Sequence, residues 1–180
     1  MRSRDKICAI ENPPRLIPCL IVLVGAPGSG KTTWATRNGR GTVLISQDGL
    51  IEAITPHGFE HVYRPVYHAA EDAVAQAALR AGHTVIVDRT NRTREHRKRW
   101  LAIARDASCP AIAVVMNTPE CVCRERNTQR IVGRLSEARM DRMFAVLQSV
   151  EEDEGFSAIR AIDNSVTLDE ILSTFLETHR

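Results

Sequence analysis

Eight consecutive residues, Gly25-Ala26-Pro27-Gly28-Ser29-Gly30-Lys31-Thr32, satisfy the pattern G-x-x-x-x-G-K-[ST] at every specified position. Glycines let a backbone curl around a phosphate with several N–H groups pointing inward, through dihedral angles that a side chain forbids. A helix that starts at the end of such a loop turns its unpaired amides and the positive end of its dipole on the same anion. Lys31 then reaches the β- and γ-phosphates and the Thr32 hydroxyl is placed to ligate magnesium, with Thr33 following in the same turn. This chemistry is nucleotide binding, with ATP and Mg2+ as the expected ligands.

Two carboxylates follow apolar runs further along: Asp48 after Thr42-Val43-Leu44-Ile45-Ser46, and Asp88 after Thr84-Val85-Ile86-Val87. One carboxylate can take the proton of an attacking hydroxyl while the other serves the metal shell or the acceptor, a division of labour that suits phosphoryl transfer. Arg124, Arg126, Arg130 and Arg134 form a second group. In a continuous helix Arg126, Arg130 and Arg134 would share one face and make an arginine-bearing lid over a triphosphate. A third group, Arg89, Arg92, Arg94, Arg97, Lys98 and Arg99, is interrupted among acidic residues only by Glu95 and could hold the phosphates of a polynucleotide. A solvated basic helix would carry the same residues.

The elements needed to position these groups are legible around them. Leu20-Ile21-Val22-Leu23-Val24 reads as a buried strand before the loop, and Thr33-Trp34-Ala35-Thr36-Arg37 continues as a helix. Runs of strand character recur at Thr42–Ser46, Thr84–Val87, Ala111–Met116 and Ala158–Ile162. Helical patterns lie between them at Tyr67–Arg80, Thr93–Asp106, after Pro119, and after Ser136, where Met140, Met143, Phe144 and Leu147 sit at helical spacing. Thr167 and Glu170 have the spacing of a capping box for a final helix. Residues Ile51 to Val66, with Pro56, Gly58 and Pro65, lose all period and read as loop-rich. Strand and helix alternate throughout, so the expected fold is α/β, a doubly wound parallel sheet flanked by helices. The strand ending at Asp48 is expected to lie beside the phosphate-loop strand.

At 180 residues the chain has room for one domain, expected over residues 16–180 with a lid at about 119–150, and residues 1–15 read as a flexible arm ending in Asn12-Pro13-Pro14. Hydrophobic content of 43% and charged content of 26% are those of a globular chain, and a net charge of +2 does not by itself require a nucleic acid partner. The five cysteines lack zinc-ligand spacing and are expected as reduced thiols. No apolar run approaches the ~20 residues of a membrane span, which points to a cytoplasmic protein without a membrane partner.

Taken in order, the loop with Thr33-Trp34-Ala35, then Ser46-Gln47-Asp48, Asp88-Arg89-Thr90-Asn91, Arg126-Asn127-x-x-Arg130 and Glu154-Gly155-Phe156 resembles the kinase domain of the polynucleotide kinase family from about Leu20 to Ile162. The resemblance implies transfer of the ATP γ-phosphate to the 5′-hydroxyl end of DNA or RNA. It implies Asp48 as general base, Asp88 and Asn91 as residues of the acceptor site, and Arg126 and Arg130 as lid arginines. Many members carry arginine three residues after the base, where this chain has Ile51, so grip on the acceptor is expected from Arg89 or Arg92. The D-x-D-G-T motif of the phosphatase often fused to such kinases is missing from this sequence. Two other readings fit the same loop: a small-molecule kinase, and a nucleotide-binding regulatory module in which Asp48 is no base.

Overall fold

A computed structural model describes residues 17–163 and 165–178. The expected arm, residues 1–15, lies outside the described residues. Five strands form one all-parallel sheet: β1 (Leu20–Val24), β2 (Val43–Ser46), β3 (Val85–Asp88), β4 (Ala111–Met116) and β5 (Ala158–Ile162), in the spatial order β2-β3-β1-β4-β5. Parallel neighbours require crossovers, and the helices α1 (Lys31–Asn38), α2 (Gln47–Ile54), α3 (Arg64–Arg80), α4 (Arg94–Asp106), α5 (Glu120–Thr128), α6 (Glu137–Ala145) and α7 (Leu168–Thr178) lie in those connections or after β5.

β1 is buried along its full length because both faces of the sheet are covered. Its side chains alternate between two cores. Ile21 and Leu23 pack with Trp34 of α1 and with Ile171, Leu172 and Phe175 of α7. Leu20, Val22 and Val24 pack with Ala75 and Leu79 of α3 and with Trp100 and Ile103 of α4. α7 begins with the expected box: the Thr167 amide donates to Glu170 at 2.6 Å and the Glu170 amide donates to the Thr167 hydroxyl at 3.3 Å. No helix among the described residues is long and apolar enough to cross a membrane, and four cysteines, Cys19, Cys109, Cys121 and Cys123, are free thiols.

Three local readings change. β3, not β2, lies beside β1, so Asp88 closes the neighbouring strand and Asp48 stands one strand further out. Residues 51–54, expected within the loop-rich stretch Ile51 to Val66, belong to α2, whose start the Ser46 hydroxyl caps by accepting from the Gly49 amide at 3.4 Å. α3 starts at Arg64 rather than Tyr67, with Pro65 in its first turn, where the missing N–H costs nothing.

Candidate functional site

The phosphate loop joins β1 to α1, and its neighbours hold it from three sides. Gly28 and Gly30 adopt left-handed backbone angles, φ +84° and +95°. Gly30 is the residue before α1 and offers no side-chain cap, which leaves the first amides of that helix directed at the loop's concave side. The Gly25 amide donates to the Thr90 carbonyl at 3.1 Å, joining the loop's first residue to the segment after β3. On the other side the Thr118 hydroxyl donates to the Ser29 carbonyl at 2.9 Å rather than capping α5.

Lys31 is 7% exposed and donates to the carbonyls of Gly25 at 3.0 Å and Ala26 at 2.8 Å and to the Ser29 hydroxyl at 3.3 Å. Burial lowers its pKa to about 8, an effect that the negative charge of Asp88 opposes. Asp88 is itself 8% exposed, and burial pushes its carboxyl above the ordinary range; a hydrogen bond from Thr32 and the charge of Lys31 pull it back, and the charge of Asp48 pushes it further up. Thr32, Lys31 and Asp48 therefore all act on Asp88 at the carboxyl edge of the sheet, where open α/β folds bind ligands. Asp48 sits exposed in the first turn of α2, brought there because Ser46 of β2 is in register with Asp88 of β3.

Two oxygen donors side by side, the Thr32 hydroxyl and a buried carboxylate disfavoured by burial, suit a hard divalent cation that completes its shell with phosphate oxygens and water. No cluster of three or more His, Cys, Asp or Glu side chains suited to a metal occurs among the described residues, so an all-protein cage is not offered. The sequence leaves the second carboxylate between metal shell and acceptor; the hydrogen bond from Thr32, far away in the chain, favours the metal side for Asp88.

α5 lies across the loop. Arg126 donates from Nη1 to the Gly28 carbonyl at 3.2 Å, and the charge of Arg130 depresses Lys31 further. Arg126, Arg130 and Arg134 do not share one helical face: α5 ends at Thr128, and Arg130 and Arg134 lie on the connection to α6. The buried Asn127 fixes that connection, donating to the Leu135 carbonyl at 2.8 Å and accepting from the Leu135 amide at 2.9 Å. Arg124 faces away from the loop and ties α5 to α6 through Glu120, Glu137 and Asp141, its guanidinium 5.4 Å from the Phe144 ring centre.

The segment Asp88-Arg89-Thr90-Asn91 divides its roles. Asn91 is 2% exposed at φ +43°, donates to the Leu23 carbonyl at 2.7 Å and accepts from the Trp100 indole at 3.0 Å. Both ends of its amide are spent on scaffold, so Asn91 positions the segment instead of presenting an atom to an acceptor, a correction to its expected role. Arg89 is ion-paired with Glu71 at 2.6 Å, and Arg99 reaches the same carboxylate oxygen at 3.0 Å and Asp72 at 2.5 Å. Arg97 is wholly buried against Glu154 and also donates to the carbonyls of Asn91, Gln148 and Ser149. Arg94 pairs with Asp153. Four of the six basic residues expected to hold polynucleotide phosphates are thus paired with internal carboxylates. Arg92 contacts the Met143 sulfur, and its Nε is buried without a hydrogen-bond partner, while Lys98 is exposed. The residue that sequence reasoning missed is Glu71; the indole bond from Trp100 to Asn91 was equally invisible, and Glu154 was visible only as part of Glu154-Gly155-Phe156.

Residues 20–150 match the AAA domain. The chain belongs to the AAA domain family. Within it, this AAA domain is 26% identical over 149 residues to the bifunctional polynucleotide phosphatase/kinase of Schizosaccharomyces pombe, covering 79% of the chain and 33% of that protein. The chain spans a third of the length of that curated relative, and 17% of another, the Arabidopsis thaliana transcription factor bHLH140, to which it is 27% identical over 165 residues. Among solved structures, the AAA domain superposes on a chain of the Pnkp1/Rnl/Hen1 RNA repair complex with TM-score 0.64 at 23% identity, over 78% of this chain and 47% of that one. The Mycobacterium tuberculosis APS kinase CysC, solved with AMPPNP and APS, has the same fold with TM-score 0.63 at 19% identity, over 90% and 97% of the two chains. The fold is that of the P-loop kinases, as the motifs implied, and it is shared by kinases with different acceptors.

Proposed function

We propose that this AAA domain is a polynucleotide 5′-hydroxyl kinase that transfers the γ-phosphate of ATP to the 5′ end of DNA or RNA. The observation that carries the reading is the carboxyl edge of the sheet at which Thr32, Lys31 and Asp48 all act on Asp88, beside the loop whose Gly28 carbonyl Arg126 touches. It has a donor side, the loop amides and Lys31, and an acceptor side, the exposed carboxylate of Asp48.

In this reading residues 25–33 hold the ATP phosphates, with Lys31 on the β- and γ-groups, and Thr32 with Asp88 would hold Mg2+, which would supply charge neutralisation for the transferring phosphate. Asp48 accepts the proton of the 5′-hydroxyl as the bond from its oxygen to the γ-phosphorus forms and the bond from that phosphorus to the β-bridging oxygen breaks. Arg126 and Arg130 balance the charge that develops on the leaving and equatorial oxygens, a contribution worth ~10³ to 10⁵ in rate for a well-placed arginine. Ile51, one turn after Asp48, supplies no charge to the acceptor, and in this reading Arg92, which makes no ion pair among the described residues, supplies it instead.

Labelled ATP offered with 5′-hydroxyl DNA, RNA and mononucleotide acceptors side by side tests the reading. Transfer to the oligonucleotides, falling steeply as salt rises, is the expected result. Transfer confined to small molecules and insensitive to salt would replace the polynucleotide with a small acceptor, and no transfer to any hydroxyl would leave a nucleotide-binding regulatory module.

A further inference from the structure

Between α2 and α3 the chain displays rings and aliphatic side chains that no core requires. Phe59 is 43% exposed, Tyr63 41% and Val62 72%, and His61 is exposed beside them. They are held rigidly. The Phe59 ring stands edge-on to His61 at 5.0 Å and leans on Tyr67 at 5.5 Å between centroids. Tyr67 is 1% exposed, with its hydroxyl 2.6 Å from the Thr55 hydroxyl and accepting from the Glu60 amide at 3.3 Å. The Gly58 amide donates to the Thr55 carbonyl at 2.9 Å, closing the turn that carries Phe59. Ordered aromatic faces kept in water are a binding surface more often than a structural device.

The topology places this platform at the reaction edge. α3 runs back along the sheet to begin β3, so its first turn, next to Tyr63, lies at the carboxyl edge that carries Asp88. α2 leads to the platform from Asp48, and its eight residues rise about 12 Å. Basic groups stand between the two: Arg64 beside Tyr63 is close enough to the guanidinium of Arg89 and to His68 and His96 to lower the proton affinity of all three, although Arg89 itself is paired with Glu71. A positive field with aromatic faces alongside it is the surface that takes single-stranded nucleic acid, the phosphates following the charge and the bases lying on the rings.

We propose that Phe59, His61 and Tyr63 form a stacking platform for bases of a single-stranded acceptor, beyond the nucleotide whose 5′-hydroxyl is phosphorylated. The inference rests on the polynucleotide kinase reading and adds to it the strandedness of the acceptor. The length of α2 and the turn that closes at Gly58 separate the platform from Asp48, so it takes bases several nucleotides beyond the reacting end. A dinucleotide therefore reaches Asp48 but not the rings.

The test compares steady-state transfer to a 5′-hydroxyl dinucleotide and to a single-stranded oligonucleotide of about eight residues, with the wild-type chain, with Phe59→Ala/Tyr63→Ala, and with Val62→Asp, which touches no packing. The expected result is a KM about tenfold lower for the longer acceptor in the wild type. Both variants abolish that difference and leave turnover on the dinucleotide unchanged. Equal KM values for the two acceptors in the wild type would overturn the platform while leaving the kinase reading intact. A loss of the same size on both acceptors in both variants would also overturn it, since the effect would then be structural. Phosphorylation of neither acceptor by the wild type would overturn both.

Discussion

The carbonyl oxygen of Cys123 in α5 stands 2.5 Å from the point that a Cβ on Gly28 would occupy, so α5 rests on the phosphate loop with no room for even a methyl group between them. The contact lets Arg126, one turn after Cys123 on the same helix, reach the Gly28 carbonyl. Gly28→Ala combines a backbone clash with a left-handed residue, a conformation costing about 1–2 kcal/mol for an L side chain. ATP affinity, measured by calorimetry, is expected to fall by about tenfold or more, with a lower Tm. Wild-type affinity in this variant would show that α5 does not need to rest on the loop.

Asp48 is exposed and makes no contribution to the grip on the loop, so its removal separates chemistry from donor binding. Asp48→Asn is expected to lower kcat by about 10² to 10⁴ with ATP affinity within about twofold of wild type. Near-normal transfer would remove Asp48 as the base.

Lys31 gives two opposite pH trends. Its pKa of about 8 lies below its ordinary 10.5, so above about pH 8 it loses the charge that holds phosphate, and ATP affinity is expected to weaken between about pH 7 and pH 9. Between the two pKa values the unfolded chain binds more protons than the folded one, so this group makes stability rise with pH over that same range. Lys31→Arg, which stays charged, is expected to flatten the affinity profile. A wild-type profile as flat as that of the variant would place the titration elsewhere.

Asp88 is expected to trade stability for function. Its raised pKa means that the ionised form is held in the fold at a cost, which grows as pH rises through the ordinary carboxylate range and is fully present once pH has passed the raised value. Asp88→Asn keeps an acceptor for the Thr32 hydroxyl and removes the charge. The expected outcome is a higher Tm by calorimetry together with a loss of transfer of about 10²-fold or more. A lower Tm would mean that the attraction to Lys31 outweighs the burial of the carboxylate.

Arg97 and Glu154 are each almost wholly inaccessible, so breaking the pair leaves an uncompensated charge in the interior. Arg97→Met is expected to cost about 3–5 kcal/mol in urea unfolding, and Arg97→Met/Glu154→Leu to recover most of it. The same guanidinium holds the carbonyls of Asn91 and Ser149, so the single variant is also expected to loosen the end of the segment that follows α6. A cost below about 1 kcal/mol would class the pair with surface ion pairs.

Residues 25–32 announce themselves because local backbone geometry and the chemistry of phosphate demand particular types at fixed spacing, and the strand and helix on either side are written in the same local code. The alternation of apolar runs and helical stripes likewise determines the parallel α/β class. Strand order is not local. Nothing in the run ending at Asp48 says that β3 will lie between it and β1, since that depends on how the crossovers pack. The fate of the arginines is no more legible: Arg89, Arg97 and Arg99 look alike in the chain, but each is committed to a carboxylate 18 to 57 residues away. Asn91 shows the same limit at a single side chain, for its amide is consumed by Leu23 and Trp100 only once β1 and α4 have been brought together. The sequence alone determines which groups can bind a nucleotide, whereas charge pairing across elements, a property of the packed tertiary structure, decides which of the remaining groups stay available for an acceptor.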